Sequence, residues 1–576
     1  MDLTNYKLYL TLKKYNMKSL LFIAICSLLF SCASLPTEAS SQKNYKAMVV
    51  SARKEASEIG IEIMKKGGNA FDAMVATELS LAVCYPQAGN IAGGGFMVYR
   101  LSNGTKGSLD FREKAPINAY KDMYLDDDGN IIKGKSTESI SAVGVPGTIA
   151  GIFDAHAKFG SLPIEEILKP IIHLAENGYV VTQKHFENIN DYKDIFINKN
   201  GKNSLYAKPI KVGDTIKNIA FANTLKRIAK NGKNEFYKGE TSKILIDYIT
   251  SKGGIITAED LQKYKAVWRK PITFKFKDFN IISMSPPSSG GITLAQILKM
   301  IEPFHIEQHK HNSTEYIQLL TEAERRAYAD RNYYLGDPDF INIPVDSLLN
   351  DKYLSNRMSN FNWDKATSSK DIMQGEISLH ESTETTHYSI VDKYGNAVAV
   401  TTTLNDHYGS KWFCEELGIF LNNEMDDFSA KAGAPNLYGL IGSSANSIAP
   451  QKRMLSSMTP TIVEKDNKLF MVLGSPGGST IITSVLQVFL NAAVFNYSMQ
   501  DAVNAPRFHH QWLPDEIIFE PNSFNSKTLE ELKEKDYIIK EKNNRVIGKV
   551  DAILVNEKGF LQGGADKRGD DAAVGF

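Results

Sequence analysis

The chain has 576 residues, of which 43% are hydrophobic and 23% are charged, a composition typical of a globular protein with a large buried core. Its 66 Lys and Arg residues balance its 66 Asp and Glu residues, so no net charge would attract nucleic acid or an anionic membrane. The composition therefore excludes a mainly disordered chain and favours a small molecule or a peptide as substrate.

The N-terminal segment has the pattern of an export signal. Lys13, Lys14 and Lys18 precede an apolar run at residues 20–30, which is too short for a comfortable membrane span. The run ends in Leu-Phe-Ser-Cys at Cys32, which resembles a bacterial lipoprotein signal and would make Cys32 the lipidated first residue of the mature chain. The alternative is a plain secretory signal, and Met17 is an alternative start to Met1. Both alternatives predict a signal at 1–32 and an exported protein, periplasmic or anchored to the outer membrane.

The mature fold would contain two of the four cysteines, Cys84 and Cys414. They lie far apart in sequence, so their spacing does not indicate a disulfide. Two buried free thiols are the expectation.

The first elements of the mature chain are two helices followed by a glycine-rich turn. Apolar residues at helical spacing begin at 52, stop at a Gly-Gly pair at 67–68 and resume over 70–83. A glycine cluster at 93–95 then leads into a strand at 96–99. Because these glycines precede a strand and lack the Gly-Lys-Ser/Thr ending, they do not indicate a nucleotide loop. Close packing against a crowded backbone explains them better.

The middle of the chain, from 163 to about 340, is mostly helical by its pattern, with amphipathic segments at 163–177 and 313–334. A Pro-Pro-Ser-Ser-Gly-Gly turn at 286–291 precedes a helix from 293. The histidines of this half do not predict a metal site, because His305, His309 and His311 have no acidic or Cys partner at ligand spacing. The same argument predicts that His509 and His510 are also solvated.

The last third of the chain is rich in predicted strands. Residues 355–384 are polar and predict a surface loop that ends at Thr385. Apolar alternation then predicts a hairpin of strands at 387–391 and 397–403. Further strands are predicted at 418–421, 460–463, 469–473 and near 552–555, and a helix at 481–495. With no internal repeat or long linker, two sheets between helical layers are the expected arrangement.

A loop that delivers a threonine to the start of a strand suits an N-terminal nucleophile. The Thr385 hydroxyl would attack the carbonyl of Glu384, and hydrolysis of the ester would leave Thr385 with a free α-amine. That amine titrates near pH 8, so it is a suitable base for the adjacent hydroxyl. Taken alone, the Thr pair at 385–386 indicates only a preference for strand.

Nine ordered motifs give the chain a wider resemblance, from about residue 45 to 576. They are PQAGN at 86–90, DFRE at 110–113, YADR at 328–331, LGDP at 335–338, TTHYS at 385–389, TTTLN at 401–405, LNNEMDDF at 421–428, LSSM at 455–458 and GSPGG at 474–478. Together they closely resemble the γ-glutamyltranspeptidase family.

The resemblance implies an α+β fold, an αββα four-layer sandwich of the N-terminal nucleophile (Ntn) hydrolase type. It implies a proenzyme cut between Glu384 and Thr385 into a large subunit, 33–384, and a small subunit, 385–576, which stay associated as one catalytic heterodimer. Thr385 would be the nucleophile and Thr403 would orient it. The amides of Gly477 and Gly478 would form the oxyanion hole, and no cofactor or metal is implied.

The resemblance also implies a pocket for a zwitterionic donor. The substrate-binding residues would be Arg112, Ser456 and Ser457 for the α-carboxylate, and Asn405, Glu424 and Asp427 for the α-ammonium. Tyr438 would be the gate of a lid over the donor.

The expected function is that of a γ-glutamyltransferase and glutathione hydrolase. It would act on glutathione and related γ-glutamyl compounds, with amino acids, peptides or water as acceptors. A cephalosporin (glutaryl) acylase of the same family is the alternative, disfavoured by Asp427, because those enzymes accept a group without an amine. An inactive surface-binding homologue is a second alternative. Bulky residues at 412–414 depart from the family pattern and leave the acceptor side open.

Overall fold

Two antiparallel sheets carry the fold of the residues described by this computed structural model, which are 44–372, 385–429, 431, 443–541 and 546–576. The unit from Tyr45 to Phe576 contains both sheets. Of the separate unit Met1–Asn44, only Asn44 is described. Cys32, Glu384 and Tyr438, which the sequence analysis selected, therefore lie outside the described residues.

The elements follow in chain order. The strands are β1 Met48–Ser51, β2 Gly94–Arg100, β3 Lys106–Asp110, β4 Tyr179–Val180, β5 Thr215–Ile216, β6 Val267–Arg269, β7 Ile272–Phe276, β8 Phe279–Ser283, β9 Thr386–Val391, β10 Ala397–Thr403, β11 Phe413–Cys414, β12 Ile419–Phe420, β13 Thr461–Lys465, β14 Lys468–Gly474, β15 Phe508–His509, β16 Ile517–Phe519, β17 Ile539–Glu541, β18 Asp551–Val555, β19 Leu561–Gly564 and β20 Ala572–Gly575. The helices are α1 Lys54–Lys65, α2 Ala70–Cys84, α3 Thr148–Phe159, α4 Ile164–Asn177, α5 Gln183–Asp191, α6 Lys193–Asn200, α7 Ile219–Asn231, α8 Lys233–Lys238, α9 Glu240–Ser251, α10 Ala258–Lys263, α11 Gly290–Ile301, α12 Thr314–Tyr334, α13 Val345–Leu348, α14 Asp351–Arg357, α15 Thr480–Ala493, α16 Met499–Asn504 and α17 Ser526–Glu534. Short 3-10 turns occur at Ile140–Ala142, Glu302–Phe304, Ile306–Gln308, Glu424–Asp427 and Ser444–Asn446.

The first sheet has seven strands in the order β20-β1-β9-β10-β2-β3-β6. Its centre is the predicted hairpin of β9 and β10, whose turn is held by the Asp392 carboxylate, which accepts the N–H groups of Tyr394 and Asn396, both at 2.9 Å. Strand β9 pairs with β1 on its other side. Strands from before and after residue 385 are therefore interleaved in one sheet.

The second sheet has six strands in the order β19-β18-β14-β13-β8-β7. It packs face to face on the first sheet through contacts of β13, β14 and β18 with β9 and β10. Helices α1, α2 and α3 cover the outer face of the first sheet, and α11, α15 and α16 cover the second. The layers are thus helix, sheet, sheet and helix, which confirms the αββα prediction.

Local sequence explains the two helices between β1 and β2. Helix α1 is followed by Gly67, whose φ of +104° favours glycine. Helix α2 begins at a capping box, in which the Asn69 side chain accepts the N–H of Asp72 and the Asp72 carboxylate accepts the N–H of Asn69. Both helices were predicted, with the break between them.

One expectation about the end of the chain was wrong, and three strands in the mostly helical middle were not predicted. Strands β6, β7 and β8 lie within the stretch predicted as mostly helical. In β7, buried residues alternate with exposed ones, the strand period, but the segment is short and stands among long helices. His509 and His510 are buried, not solvated: the His509 ring bonds with Thr483, and Nδ1 of His510 bonds with the Glu516 carbonyl.

The expected solvated patch of His305, His309 and His311 is confirmed for His305 only, whereas the expectation for the two cysteines fits the structure. His305 is exposed, whereas His309 packs on Trp363 and His311 bonds to Asn491. Cys84 and Cys414 are buried and free, as expected.

Candidate active site

A cavity with about 540 Å³ of empty space, counting its open mouth, lies where the two sheets meet. Its lining includes most of the predicted site residues: Arg112, Thr385, Thr403, Asn405, Glu424, Asp427, Ser456, Ser457 and Gly478. Gly477 is the exception, adjacent in sequence to Gly478 but not part of the lining. Residues from six separate stretches of the chain thus meet at one point.

Thr385 directly precedes β9, at the centre of the first sheet, and only 5% of it is exposed. Thr403 ends the neighbouring strand β10, and its hydroxyl accepts the N–H of Asn405 at 2.7 Å. Both threonines line the cavity. The central strands therefore bring two hydroxyl groups into it from adjacent positions.

His387 lies two residues beyond Thr385 but is unsuited to act as its base. Its ring bonds to the hydroxyls of Thr401 and Ser389, and burial lowers its pKa to about 3. A group with that pKa does not take a proton effectively near neutral pH. The α-amine of a cleaved Thr385 is the better candidate.

The glycine cluster at 93–95 lets the backbone close around this point. A Cβ on Gly93 would lie 2.0 Å from the Thr403 carbonyl oxygen, and a Cβ on Gly95 would lie 2.4 Å from the Thr401 carbonyl oxygen. A Cβ on Gly94 would lie 2.5 Å from Oε2 of Glu113. The cluster therefore serves close packing, as expected.

Gly477 and Gly478 form the turn between β14 and α15. Their φ angles are +131° and +56°, which favour glycine, and the Gly477 carbonyl accepts the N–H of Thr480 at 3.1 Å in the first turn of α15. A Cβ on Gly477 would also lie 2.4 Å from the Thr480 hydroxyl. Backbone amides at a helix start are suited to stabilising a developing negative charge.

Arg112 is the buried cation of the cavity, with 1% of it exposed. Its guanidinium contacts the carboxylates of Glu424 and Asp427 through different nitrogens. It also donates to the carbonyl of Leu455 at 3.3 Å. Arg112 is therefore not an arginine solvated at the surface.

Three carboxyl groups surround this one guanidinium. The third is Glu113, whose Oε2 lies 3.7 Å from Nη1 of Arg112, and neither of its oxygens has a hydrogen-bond partner among the described residues. Burial raises the pKa of Glu113 to about 7, and burial likewise raises the pKa of Glu424 well above its usual value. The pKa of Asp427 is also raised by burial, against the opposing effect of Arg112. Because buried like charges repel, we do not expect all three carboxyls to be ionised together at neutral pH.

The serine pair is held by a second arginine, to which sequence reasoning assigned no role. Arg331, on α12, donates from Nη2 to the Ser457 hydroxyl at 2.8 Å and from Nε to the Ser289 hydroxyl at 2.9 Å. Ser289 in turn donates to the Ser456 carbonyl at 2.7 Å. Arg331 lies in the YADR motif, but only its burial at 3% exposure and its place in the lining identify its contribution.

Asn446 is a second lining residue that the sequence did not single out. Its amide donates to the Asp427 carbonyl at 2.7 Å, and its side-chain oxygen accepts the N–H of Leu455 at 2.9 Å. It thereby ties the segment that carries Asp427 to the segment that carries Ser456 and Ser457. No motif surrounds it in the sequence.

The described residues also bear on metal binding and on membrane insertion. Within them, no cluster of three or more His, Cys, Asp or Glu residues has the geometry to hold a metal ion. Over the same residues, no helix combines the length and the hydropathy needed to span a bilayer.

The chain is similar to known proteins over almost its whole length. The family model described as gamma-glutamyltranspeptidase matches residues 56–576. The glutathione hydrolase proenzyme of Escherichia coli (strain K12) is 45% identical over 536 residues, which cover 92% of each chain. The structure of Helicobacter pylori gamma-glutamyltranspeptidase is 40% identical, with a TM-score of 0.55, and covers 58% of this chain and 97% of that one. A cephalosporin acylase from Bacillus halodurans has a TM-score of 0.81 at 23% identity and covers 92% of this chain and 96% of that one, a likeness of fold.

Proposed function

The chain belongs to the gamma-glutamyltranspeptidase family, and we propose that it is a self-cleaving γ-glutamyltransferase and glutathione hydrolase. One observation carries this proposal: a single cavity contains a threonine at the start of a central strand, a glycine turn and a buried cation paired with acids. These are the parts needed for acyl transfer from a donor with a charged amino-acid group.

Maturation would begin at Thr385. Its hydroxyl attacks the carbonyl carbon of Glu384, the C–N bond breaks, and the nitrogen becomes the α-amine of Thr385. Water then hydrolyses the ester, which frees the hydroxyl and leaves a carboxyl terminus at Glu384. The large subunit, 33–384, and the small subunit, 385–576, would stay together because strands of both are interleaved in one sheet.

Each turnover would proceed in two steps through the same hydroxyl. The hydroxyl attacks the γ-carbonyl of the donor while the α-amine of Thr385 takes its proton, and the amides of Gly477 and Gly478 bind the oxyanion. The C–N bond then breaks, and the leaving amine receives the proton. Water or an acceptor amine attacks the resulting ester, which releases glutamate or a new γ-glutamyl amide. Each oxyanion donor is worth about 3 kcal/mol to the barrier.

The buried ion pair explains how the cavity would recognise the donor. Arg112 would bind the α-carboxylate, assisted by Ser456 and Ser457, while Asp427, Glu424 and Asn405 would receive the α-ammonium. Donor binding would break the contact between Arg112 and Asp427. The α-carboxylate of the donor would then pair with Arg112 and its α-ammonium with Asp427, so that no buried charge loses its counter-charge. A glutaryl donor has no ammonium and would leave Asp427 unpaired, which argues against the acylase alternative.

Localisation and anchoring form a separate part of the proposal. The pattern at residues 1–32 supports export to the periplasm, with Cys32 as the lipid-bearing residue of a protein anchored to the outer membrane. Replacing Cys32 by Ala should move the protein from the membrane fraction to the soluble periplasmic fraction. An unchanged distribution, without incorporation of labelled fatty acid in the unmodified protein, would contradict anchoring.

The central experiment is purification followed by N-terminal sequencing of the smaller fragment. We expect a fragment that begins at Thr385 and turnover of a γ-glutamyl anilide. Thr385→Ala should remain uncleaved and inactive, whereas Thr385→Ser keeps a hydroxyl and should mature, at a lower rate. An intact chain without turnover, or a Thr385→Ala protein that still matures, would overturn the proposal.

A further inference from the structure

A buried acid lies behind the strand that carries Thr385, outside the cavity. Glu78 is on α2, its exposed fraction is zero, and neither carboxyl oxygen has a hydrogen-bond partner among the described residues. An unpaired ionised carboxylate in such a place costs several kcal/mol, so an acid here requires an explanation.

The surroundings of Glu78 connect it to the two central strands. Helix α2 packs on β9 and β10. The hydroxyls of Tyr388 and Thr402 are near enough to Glu78 to stabilise its charged form, and Thr386 pairs directly with Thr402 across the two strands. The hydroxyls of Thr386 and Tyr388 also have no hydrogen-bond partner among the described residues. Four polar groups from one helix and two strands therefore meet in the core.

These side chains occupy the face of the first sheet opposite to the cavity. Along β9, His387 and Ser389 point to the second sheet, where His387 lies against Gly474 and Ser389 donates to the Asp551 carbonyl. Because successive side chains alternate, Thr386 and Tyr388 point to the helices. The group formed by Glu78, Thr386, Tyr388 and Thr402, here called the back cluster, thus supports the residue next to Thr385 from behind.

The back cluster also reaches the strand that carries Thr403. The Thr402 hydroxyl donates to the Gly94 carbonyl at 3.0 Å and accepts from the Asn90 amide at 3.3 Å. The same Asn90 amide donates to the Thr403 carbonyl at 3.0 Å. A shift at Glu78 would therefore be transmitted to both threonines of the cavity.

The protonation state follows from the same surroundings. Burial raises the pKa of Glu78 to about 7, opposed only by the hydroxyls of Tyr388 and Thr402, and no charged side chain contributes. A neutral carboxyl can donate one hydrogen bond and accept others. Polar groups of this kind in a protein core are commonly joined by one internal water with about three hydrogen bonds.

We propose that Glu78 is a positioning residue for Thr385, a neutral acid that joins the hydroxyls of the back cluster, through one internal water, into a support for β9 and β10. Ionisation of Glu78 would place an unpaired charge behind the nucleophile. The support is therefore complete below neutral pH and lost as the pH rises through about 7. The inference rests on the proposed role of Thr385.

The test compares three variants of the mature enzyme over pH 5–10. Glu78→Leu should lower kcat and the rate of self-cleavage by about 10-fold to 100-fold, because misplacing a catalytic group by about 1 Å costs up to about 100-fold. Its KM should be unchanged, since no residue of the back cluster belongs to the donor-binding set. Glu78→Gln should restore most of kcat and remove the loss of activity on the alkaline side.

The matched control is Thr77→Val, one residue earlier on α2. The Thr77 hydroxyl is also buried without a hydrogen-bond partner among the described residues, but it faces α1, where a Cβ on Gly60 would lie 2.6 Å from it. This variant should change stability only. If Glu78→Leu changed stability but not kcat, or Glu78→Gln kept the wild-type alkaline limb, the positioning role would be wrong.

A spectroscopic readout separates this inference from the proposed reaction. In the uncleaved Thr385→Ala protein near pH 6, the infrared difference spectrum with and without Glu78→Gln should contain one C=O stretch of a protonated buried carboxyl, which is lost when Glu78→Gln is added. If that band is unaffected by Glu78→Gln, Glu78 is ionised and the inference fails while the nucleophile remains assigned. Maturation of the Thr385→Ala protein would instead contradict the proposed function.

Discussion

The Glu113 carboxyl lies against the backbone of Gly94, so close that a Cβ at residue 94 would be 2.5 Å from Oε2. Gly94 pairs with Thr403 in the first sheet, and Glu113 follows Arg112. This contact joins the strand that orients the nucleophile to the segment that binds the donor. The expected effects of four sets of substitutions follow from contacts of this kind.

Gly94→Ala should strongly reduce turnover of a γ-glutamyl anilide. The added methyl group would displace the buried Glu113 carboxyl or β2, and with it Arg112 or Thr403. A displacement of about 1 Å at such a site costs up to about 100-fold in rate. Steady-state kinetics would measure the loss.

Gly104→Ala is the control for this prediction. Gly104 has a φ of +87°, but a Cβ there would meet nothing within 4 Å. Alanine at this position would cost only about 1–2 kcal/mol of local strain. Equal activities of the two variants would show that the Gly94 contact does not matter.

Glu424→Gln and Asp427→Asn should differ strongly although both remove a carboxylate beside Arg112. Burial raises the pKa of Glu424 well above its usual value, which favours the neutral form, so we expect an amide to replace it well. We expect kcat/KM within about 3-fold of the unmodified enzyme, less than the roughly 1 kcal/mol of one neutral hydrogen bond. Asp427→Asn removes the counter-charge of the donor ammonium, which costs about 2–5 kcal/mol, or at least about 30-fold in kcat/KM.

Kinetics with a γ-glutamyl anilide and with the matching glutaryl anilide would decide this prediction. The glutaryl compound has no ammonium, so Asp427→Asn should affect it little. A large loss for Glu424→Gln, equal to that for Asp427→Asn, would mean that Glu424 acts as a charge.

Much of this site could be predicted because its residues fall in short local patterns. The polar loop before Thr385 and the glycines at 477–478 are visible in the sequence, and the resemblance identified Arg112 and Asp427. Arg331 and Asn446 could not be found in this way, because their contribution is a contact with distant segments. The same limit applies to β6–β8, whose pairing with β3 and β13 is set by tertiary structure.

Arg331→Lys should weaken donor binding more than it slows the chemical step. A lysine retains the charge but cannot donate in the same fork to Ser289 and Ser457, so one charge-assisted hydrogen bond would be lost. Such a bond is worth about 1.5–3 kcal/mol, which predicts a KM raised by about 10-fold or more.

The KM and kcat of this variant should be measured separately, with Arg227→Lys as the control. Arg227 bonds to Thr241 and Thr224, far in sequence from every cavity residue. A fall in kcat at constant KM for Arg331→Lys would indicate that Arg331 acts on the transition state instead.

The buried pair of Asp551 and Asp571 should make the stability of the fold sensitive to alkali. Burial raises the pKa of Asp571 to about 8, and burial also raises the pKa of Asp551, further increased by the charge of Asp571. Asp566 adds to both shifts, whereas Lys549 opposes them.

The direction of the pH dependence of stability follows from the protons bound by the folded and the unfolded chain. Between about pH 4 and pH 8 the two carboxyls are ionised in the unfolded chain but keep protons in the folded one. The stability that they contribute is therefore complete below pH 4 and is lost as the pH rises through about 8. Asp551→Asn keeps a neutral, hydrogen-bonding group, so its melting temperature should fall less between pH 5 and pH 9 than that of the unmodified protein.

Asp566→Asn is the opposite case and serves as the control. Burial would raise the pKa of Asp566, but the positive charges of Arg507 and Arg568 outweigh this effect and lower it. Its ionised form stabilises the fold above about pH 4, so Asp566→Asn should lower the melting temperature at neutral pH. The melting temperatures of the unmodified protein, Asp551→Asn and Asp566→Asn at pH 5, 7 and 9 test both expectations. Parallel pH dependences for Asp551→Asn and the unmodified protein would mean that Asp551 does not hold a proton.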